Sequence, residues 1–148
     1  MRLRTIVSGV LAAALVTAAM VGVTAGPAAA ATGCGIVCDD QDPLTFRIHT
    51  GPYDWYTCAD DAQTVRMAFE VIDGSVRSEV KLRYSPRCRT AWALTDYPRY
   101  IWVERSSPHR VEDGSGPGRT RMVNDAGYVS RACLAYAGAG GEICTGWY

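Results

Sequence analysis

Six cysteines, two histidines and an acid-rich stretch carry most of the reactive chemistry in this sequence. The cysteines are Cys34, Cys38, Cys58, Cys88, Cys133 and Cys144. Cys34-x-x-x-Cys38 has tolerable zinc-ligand spacing, but no second close pair of Cys or His completes a tetrahedral set, so no metal is expected. Six is an even number, and in an oxidising exterior three bridges are the expected use. Cys133 and Cys144 flank Ala137-Gly138-Ala139-Gly140-Gly141, a turn-forming stretch, which makes them the expected staple of a last hairpin. Cys34, Cys38, Cys58 and Cys88 then share two bridges in one of three ways, and are expected to tie the N-terminal segment to a central sheet. Each bridge contributes about 2–4 kcal/mol, mostly by restricting the unfolded chain.

Catalytic constellations are thin. His49 and His109 lie in no recognisable motif, and a nucleophile–base pair is defined by geometry rather than by residue type. Asp113-Gly114-Ser115-Gly116-Pro117 permutes the Gly-Asp-Ser-Gly-Gly-Pro order found around a protease serine, and a solvated loop over 105–119 accounts for it better. Asp39-Asp40-x-Asp42 lacks the Gly and the distal Glu of a calcium loop. The expectation is no catalytic residue, no metal and no cofactor.

Recognition chemistry is better represented. Tyr53, Trp55 and Tyr56 sit beside Pro52 and Asp54, where a packed strand has no evident use for them. Exposed Tyr and Trp combine apolar area with a polar tip, which suits sugar stacking or protein contact. From 77 to 110 there are eight basic residues, among them Arg83, Arg87 and Arg89, against Glu79, Asp96 and Glu104. Guanidinium forks suit carboxylates or phosphates. The simpler use of this block is to pair with the acidic arm that precedes it.

These residues must be positioned by what lies around them. The 148 residues are 48% hydrophobic, with 15 Lys+Arg against 15 Asp+Glu. Residues 1–31 hold Arg2 and Arg4, an apolar run to Ala25, a break at Gly26-Pro27 and a stretch of Ala, the layout of a cleaved Sec signal peptide. Removing it takes two Arg away, so the formal charge moves from 0 to −2. That balance excludes a strongly basic nucleic-acid binder, and the remainder offers no membrane anchor. Lys81 is the only lysine, beside 14 arginines, a usage typical of GC-rich genomes such as those of actinobacteria.

Residues 32–63 read as an irregular, disulfide-pinned arm, with Asp39, Asp40, Asp42, Asp54, Asp60 and Asp61 facing one base, Arg47. One short strand is expected at 45–49. Residues 64–148 read as an antiparallel β domain that forms one globular unit with the arm. Val65, Met67, Phe69 and Val71 alternate with polar or small residues, Asp73-Gly74 marks a hairpin turn, and Val76, Val80, Leu82 and Tyr84 continue beyond it. Further strands are expected at 90–94, 100–104, 120–123, 128–136 and 143–148. Short strands at this spacing indicate a small disulfide-stapled antiparallel β-sandwich or barrel.

The central stretch also carries a likeness. Asp42-Pro43, then Cys58 with Ala62-Gln63-Thr64-Val65, then Leu82-Arg83-Tyr84-Ser85-Pro86-x-Cys88-Arg89-x-Ala91-Trp92 resembles the YjfA-like family, small secreted proteins of Gram-positive bacteria classed as a domain of unknown function. The likeness spans about 38–105, is densest over 80–93, and leaves Cys133 and Cys144 outside. Members place Asp-Pro close before the next Cys, so the long gap from Pro43 to Cys58 marks an insertion. The resemblance implies a secreted, β-rich disulfide domain and supplies no catalytic residue. The function expected is a secreted, extracellular, non-enzymatic binding module for a protein or cell-wall polymer, with neither nucleic acid nor membrane as partner after leader cleavage. The alternatives are a small hydrolase or toxin-like effector, or a protease inhibitor presenting residues 105–119.

Overall fold

The computed structural model describes residues 33–136 and 140–148. The leader expected over 1–31, and part of the Gly-rich turn between Cys133 and Cys144, lie outside the described residues. A 3-10 turn at Gly35–Cys38 precedes eleven strands: β1 Ile48–His49, β2 Trp55–Tyr56, β3 Gln63–Ile72, β4 Ser75–Ser85, β5 Thr90–Thr95, β6 Tyr100–Ser106, β7 His109–Ser115, β8 Gly118–Arg119, β9 Val123–Asn124, β10 Ser130–Ala135 and β11 Glu142–Cys144. Among the described residues there is no α-helix, and no helix is long and apolar enough to cross a membrane.

The strands form an antiparallel sandwich. One sheet runs β3-β4-β5-β8, with β9 also paired to β5, the other runs β11-β10-β6-β7, and β1-β2 is a separate ribbon. Val80, Leu82, Ala91, Ala93 and Val123 from the first sheet meet Ile101, Val103, Ala132 and Leu134 from the second. Complete burial of each Leu, Ile or Val contributes about 1.5–3 kcal/mol. Strand β5 is buried on both faces: Ala91 and Ala93 point between the sheets, while Trp92 packs with Cys38, Cys58, Cys88 and Met122 under the arm. The arm is therefore a third layer, covering one end of the first sheet.

The β3–β4 hairpin turns at Asp73 (φ 50°) and Gly74 (φ 74°), the left-handed pair that matches strand twist. Its inward face differs from the alternation expected. Val65 and Ala68 pack on the core, whereas Met67, Phe69 and Val71 are 42, 47 and 58% exposed. The register slips between Thr64 and Arg66, so Val65 is an extra residue in the ladder. One extra residue exchanges the inward and outward positions of everything after it.

Residues 105–119 are not a loop. Ser106 pairs with His109 and Tyr100 with Ser115, making β7 an edge strand against β6. Its glycines have packing reasons: a Cβ on Gly116 would stand 2.1 Å from the Tyr97 carbonyl oxygen, and one on Gly114 2.9 Å from that of Arg119. The protease-inhibitor alternative loses the free peptide on which it depended. Of the strand expected at 120–123 only Val123 is in a strand, at the start of β9, with β8 lying just before the expected span; the strand expected at 143–148 ends at Cys144, and the one expected at 45–49 contracts to β1.

The bridges are Cys34–Cys38, Cys58–Cys88 and Cys133–Cys144. Cys133 stands directly opposite Cys144 across β10 and β11, their Cα atoms 4.0 Å apart. Only Cys58–Cys88 joins the arm to the sheet, because Cys34–Cys38 closes within the 3-10 turn.

Candidate functional site

The segment between Asp42-Pro43 and Cys58 leaves the body of the protein and returns to the same point. Asp42 Oδ1 accepts the Leu44 amide at 2.8 Å, and the Ala59 amide donates to the Pro43 carbonyl at 3.0 Å. Between these contacts the chain makes the β1–β2 ribbon, pairing His49 with Trp55 and Ile48 with Tyr56, and the Thr50 amide donates to the Asp54 carbonyl at 2.9 Å across its tip. The length marked as an insertion is this ribbon. Ile48 and Tyr56 pack on the second core cluster, which leaves His49 and Trp55 on the outer face. Cys58 fixes the returning strand to Cys88 three residues after Trp55.

A cleft of about 440 Å³ opens between the ribbon and its base, lined by Leu44, Thr45, Arg47, Trp55, Thr57, Ala59 and Asp60. The Trp55 ring is 47% exposed, and the Arg47 guanidinium lies 4.1 Å from its centroid. Such a cation–π contact at an exposed site is worth about 0.5–1 kcal/mol and restrains the ring. Asp60 Oδ2 accepts the Thr57 amide at 2.8 Å, which fixes the carboxylate in the cleft lining. Apolar wall, cation, hydroxyl and carboxylate in one concavity suit a ligand with a flat or C–H-rich face and polar substituents.

The aromatic and basic residues singled out in the sequence take different places. Tyr53, at the ribbon tip, is 94% exposed, and Trp55 lines the cleft. Tyr56 is turned inward with Arg87 stacked 3.5 Å over its ring. Arg83 donates to Thr64 Oγ1 at 2.9 Å and to the Ala62 carbonyl at 2.7 Å, holding the end of the arm against the hairpin. Arg89, at φ 56°, turns the chain into β5, and its charge acts on Tyr84 and Asp125. Each of the three arginines thus has its own local partners. Arg47, Leu44, Thr57 and Asp60 were not singled out as ligands. Arg47 alone had a signal, as the one base of the acidic arm.

The motif around Cys88 serves the turn. Ser85 Oγ accepts the Cys88 amide at 3.0 Å and donates to Asp61 Oδ1 at 2.5 Å, and Asp61 Oδ2 takes the Arg87 amide at 2.8 Å. The acidic run is equally engaged. Asp39 Oδ1 accepts the Asn124 amide at 2.6 Å, with Arg105 and Arg110 each 3.7 Å from Oδ2. Asp42 is held by Arg119. Arg105, buried, also donates to the Asn124 and Pro108 carbonyls. The carboxylates of the arm thus pair with Arg105, Arg110 and Arg119, while Arg83 meets the arm through the Ala62 carbonyl.

His49 and His109 lie on different sheets. His109 is exposed, 3.5 Å from Glu104, whose other oxygen takes Arg131 Nε at 2.5 Å. The one carboxyl strongly displaced is Asp125: burial pushes it up to about 6, against the opposing help of the Ser130 hydroxyl and the charges of Arg105 and Arg89. It is buried, its amide donating to the Arg89 carbonyl at 2.8 Å, and it does not line the cleft. Two sets of side chains have metal-like spacing, Cys34, Cys58 and Cys88, and Glu104, Cys133 and Cys144, but every one of those sulfurs is bonded in a bridge. A bridged sulfur is not the thiolate that a metal requires.

No curated protein and no solved structure matches the chain. A family model does, over residues 36–133, from the 3-10 turn to the first cysteine of the last bridge, and its description is "Protein of unknown function (DUF2690)". The match runs well beyond the 38–105 span of the sequence likeness and takes in Cys133. With most of the sandwich inside it, the chain belongs to this DUF2690 family.

Proposed function

We propose that the chain is a secreted, non-enzymatic binding module that takes an extracellular protein or cell-envelope polymer into the Trp55–Arg47 cleft. The observation that carries this reading is the mounting of Trp55. A large aromatic is held half exposed on a two-stranded ribbon, clamped at its base by the Pro43–Ala59 hydrogen bond and the Cys58–Cys88 bridge. A pre-organised ring loses little side-chain entropy on binding, which is where an aromatic anchor gains its affinity. Export is supported by the leader pattern of residues 1–31 and by three bridges that persist in an oxidising exterior.

The test is retention on purified cell-wall and culture-supernatant fractions. Trp55→Ala and Arg47→Ala are expected to weaken retention at least tenfold, about 1.4 kcal/mol, with the β-sheet circular dichroism unchanged. Full retention by folded Trp55→Ala removes the cleft reading. Loss of a wall-degrading activity in His49→Ala or His109→Ala would replace it with the hydrolase alternative.

A further inference from the structure

Two of the three bridges lie side by side. The sulfurs of Cys34, Cys58 and Cys88 all lie within 4.8 Å of one another, although Cys34 is bonded to Cys38 and Cys58 to Cys88. Cys34 is partly exposed, whereas Cys38, Cys58 and Cys88 are fully buried. Cys34 is also held in place independently of its own bridge. Its amide donates to the Cys88 carbonyl at 3.1 Å, and the preceding Gly33 lies so close that a Cβ there would stand 2.5 Å from that oxygen. Opening Cys34–Cys38 therefore leaves the Cys34 sulfur beside the second bridge.

We propose that Cys34–Cys38 is a thiol–disulfide exchange site whose substrate is an extracellular dithiol, protein or small molecule, and that Cys34 passes the exchange on to Cys58–Cys88. In the first step the dithiol gives two electrons and two protons to Cys34–Cys38 and becomes a disulfide. In the second, the Cys34 thiolate attacks one sulfur of Cys58–Cys88. Attack at Cys58 forms Cys34–Cys58 and releases Cys88 as thiolate; attack at Cys88 forms Cys34–Cys88 and releases Cys58. The second step neither gains nor loses electrons, and the proton shed by Cys34 is balanced by the one the released sulfur takes up. Exchange needs a reachable thiolate and a nearby bridge, and Cys34 has both. The two bridges also differ in what reduction releases: Cys34–Cys38 spans 4 positions and Cys58–Cys88 spans 30. The short loop restrains the unfolded chain least, so it is the one that opens at least cost to the fold.

Cys38→Ser tests the second step without any reductant, because it leaves one thiol among three clustered sulfurs. The oxidised variant is held at pH 8, alkylated with N-ethylmaleimide, digested and mapped by mass spectrometry. With free exchange among sulfurs of similar stability, roughly two-thirds of the label falls on Cys58 and Cys88. Label confined to Cys34 overturns the proposal. Cys34→Ser is the control, in which the thiol stays on Cys38, outside the cluster. Should Cys38→Ser not fold, wild-type protein given one equivalent of dithiothreitol and then alkylated serves in its place. The expected product has Cys38 labelled and Cys34 bridged to Cys58 or Cys88. Label on Cys34 and Cys38 alone, or first on Cys133 and Cys144, overturns it.

Discussion

Arg119 and Asp42, 77 positions apart, are locked together: one guanidinium nitrogen lies 3.0 Å from Oδ1 and 2.8 Å from Oδ2 of the carboxylate. Strand β8 is thereby tied to the point where the ribbon begins. Burial raises the Asp42 pKa, but the Leu44 amide and the Arg119 charge outweigh it and leave the group below its ordinary value. A carboxyl lowered in the fold stabilises the protein above its unfolded pKa, and that stabilisation is lost as pH falls through the folded value. Arg119→Ala is expected to cost about 1 kcal/mol at pH 7, and the difference from wild type to vanish near pH 2 in urea melts.

Asp125 has the opposite sign. With its carboxyl raised to about 6, the folded state holds the proton more tightly, so this group's contribution to stability falls as pH rises from about 4 through 6 and is level above. Asp125→Asn keeps an oxygen for the Ser130 hydroxyl, which donates at 2.9 Å, and removes the charge. The variant is expected to match wild type near pH 4 and to exceed it by about 2 kcal/mol at pH 7.5. Equal denaturation midpoints at both pH values would contradict the assignment.

The bridges are predicted to differ in worth. Cys133–Cys144 spans 11 positions and Cys58–Cys88 spans 30. From loop length alone, the double Ser variant of the second pair should lose about 1 kcal/mol more than that of the first. Guanidinium unfolding of the two variants provides the comparison, and an equal loss would show that chain entropy does not set the order.

The bulge at Val65 yields a paired expectation. Phe69→Ser, on the outward face, should change stability by no more than about 0.5 kcal/mol. Ala68→Asp, one residue earlier, puts a charge against the core and should cost about 3 kcal/mol or prevent folding. The reverse outcome would restore the simple alternation.

That hairpin marks where sequence reading stops. Asp73-Gly74, the strands around Trp92 and Trp102, and the Cys133–Cys144 staple are set by neighbours in the chain, so local pattern reveals them. A bulge is one unpaired residue with no compositional mark, and it moved Met67 and Phe69 to the surface. Residues 109–115 hid a strand because an edge needs only one partner and tolerates Gly and polar side chains. Of the candidate site, Tyr53 and Trp55 were visible as aromatics without a packing use. The cleft was not, since Leu44 and Asp60 meet only because the chain returns to Pro43. Arg83 looked like a ligand group by charge, yet both its terminal nitrogens donate within the protein, to Thr64 and Ala62.

The clasp between Pro43 and Ala59 has an evolutionary corollary. A peptide that departs and rejoins at a single hydrogen bond can change its length and its outer face while the sandwich keeps its register and the core between its sheets, provided that the inward places of Ile48 and Tyr56 stay filled. The ribbon is a head that can be exchanged on a handle held by the Cys58–Cys88 bridge.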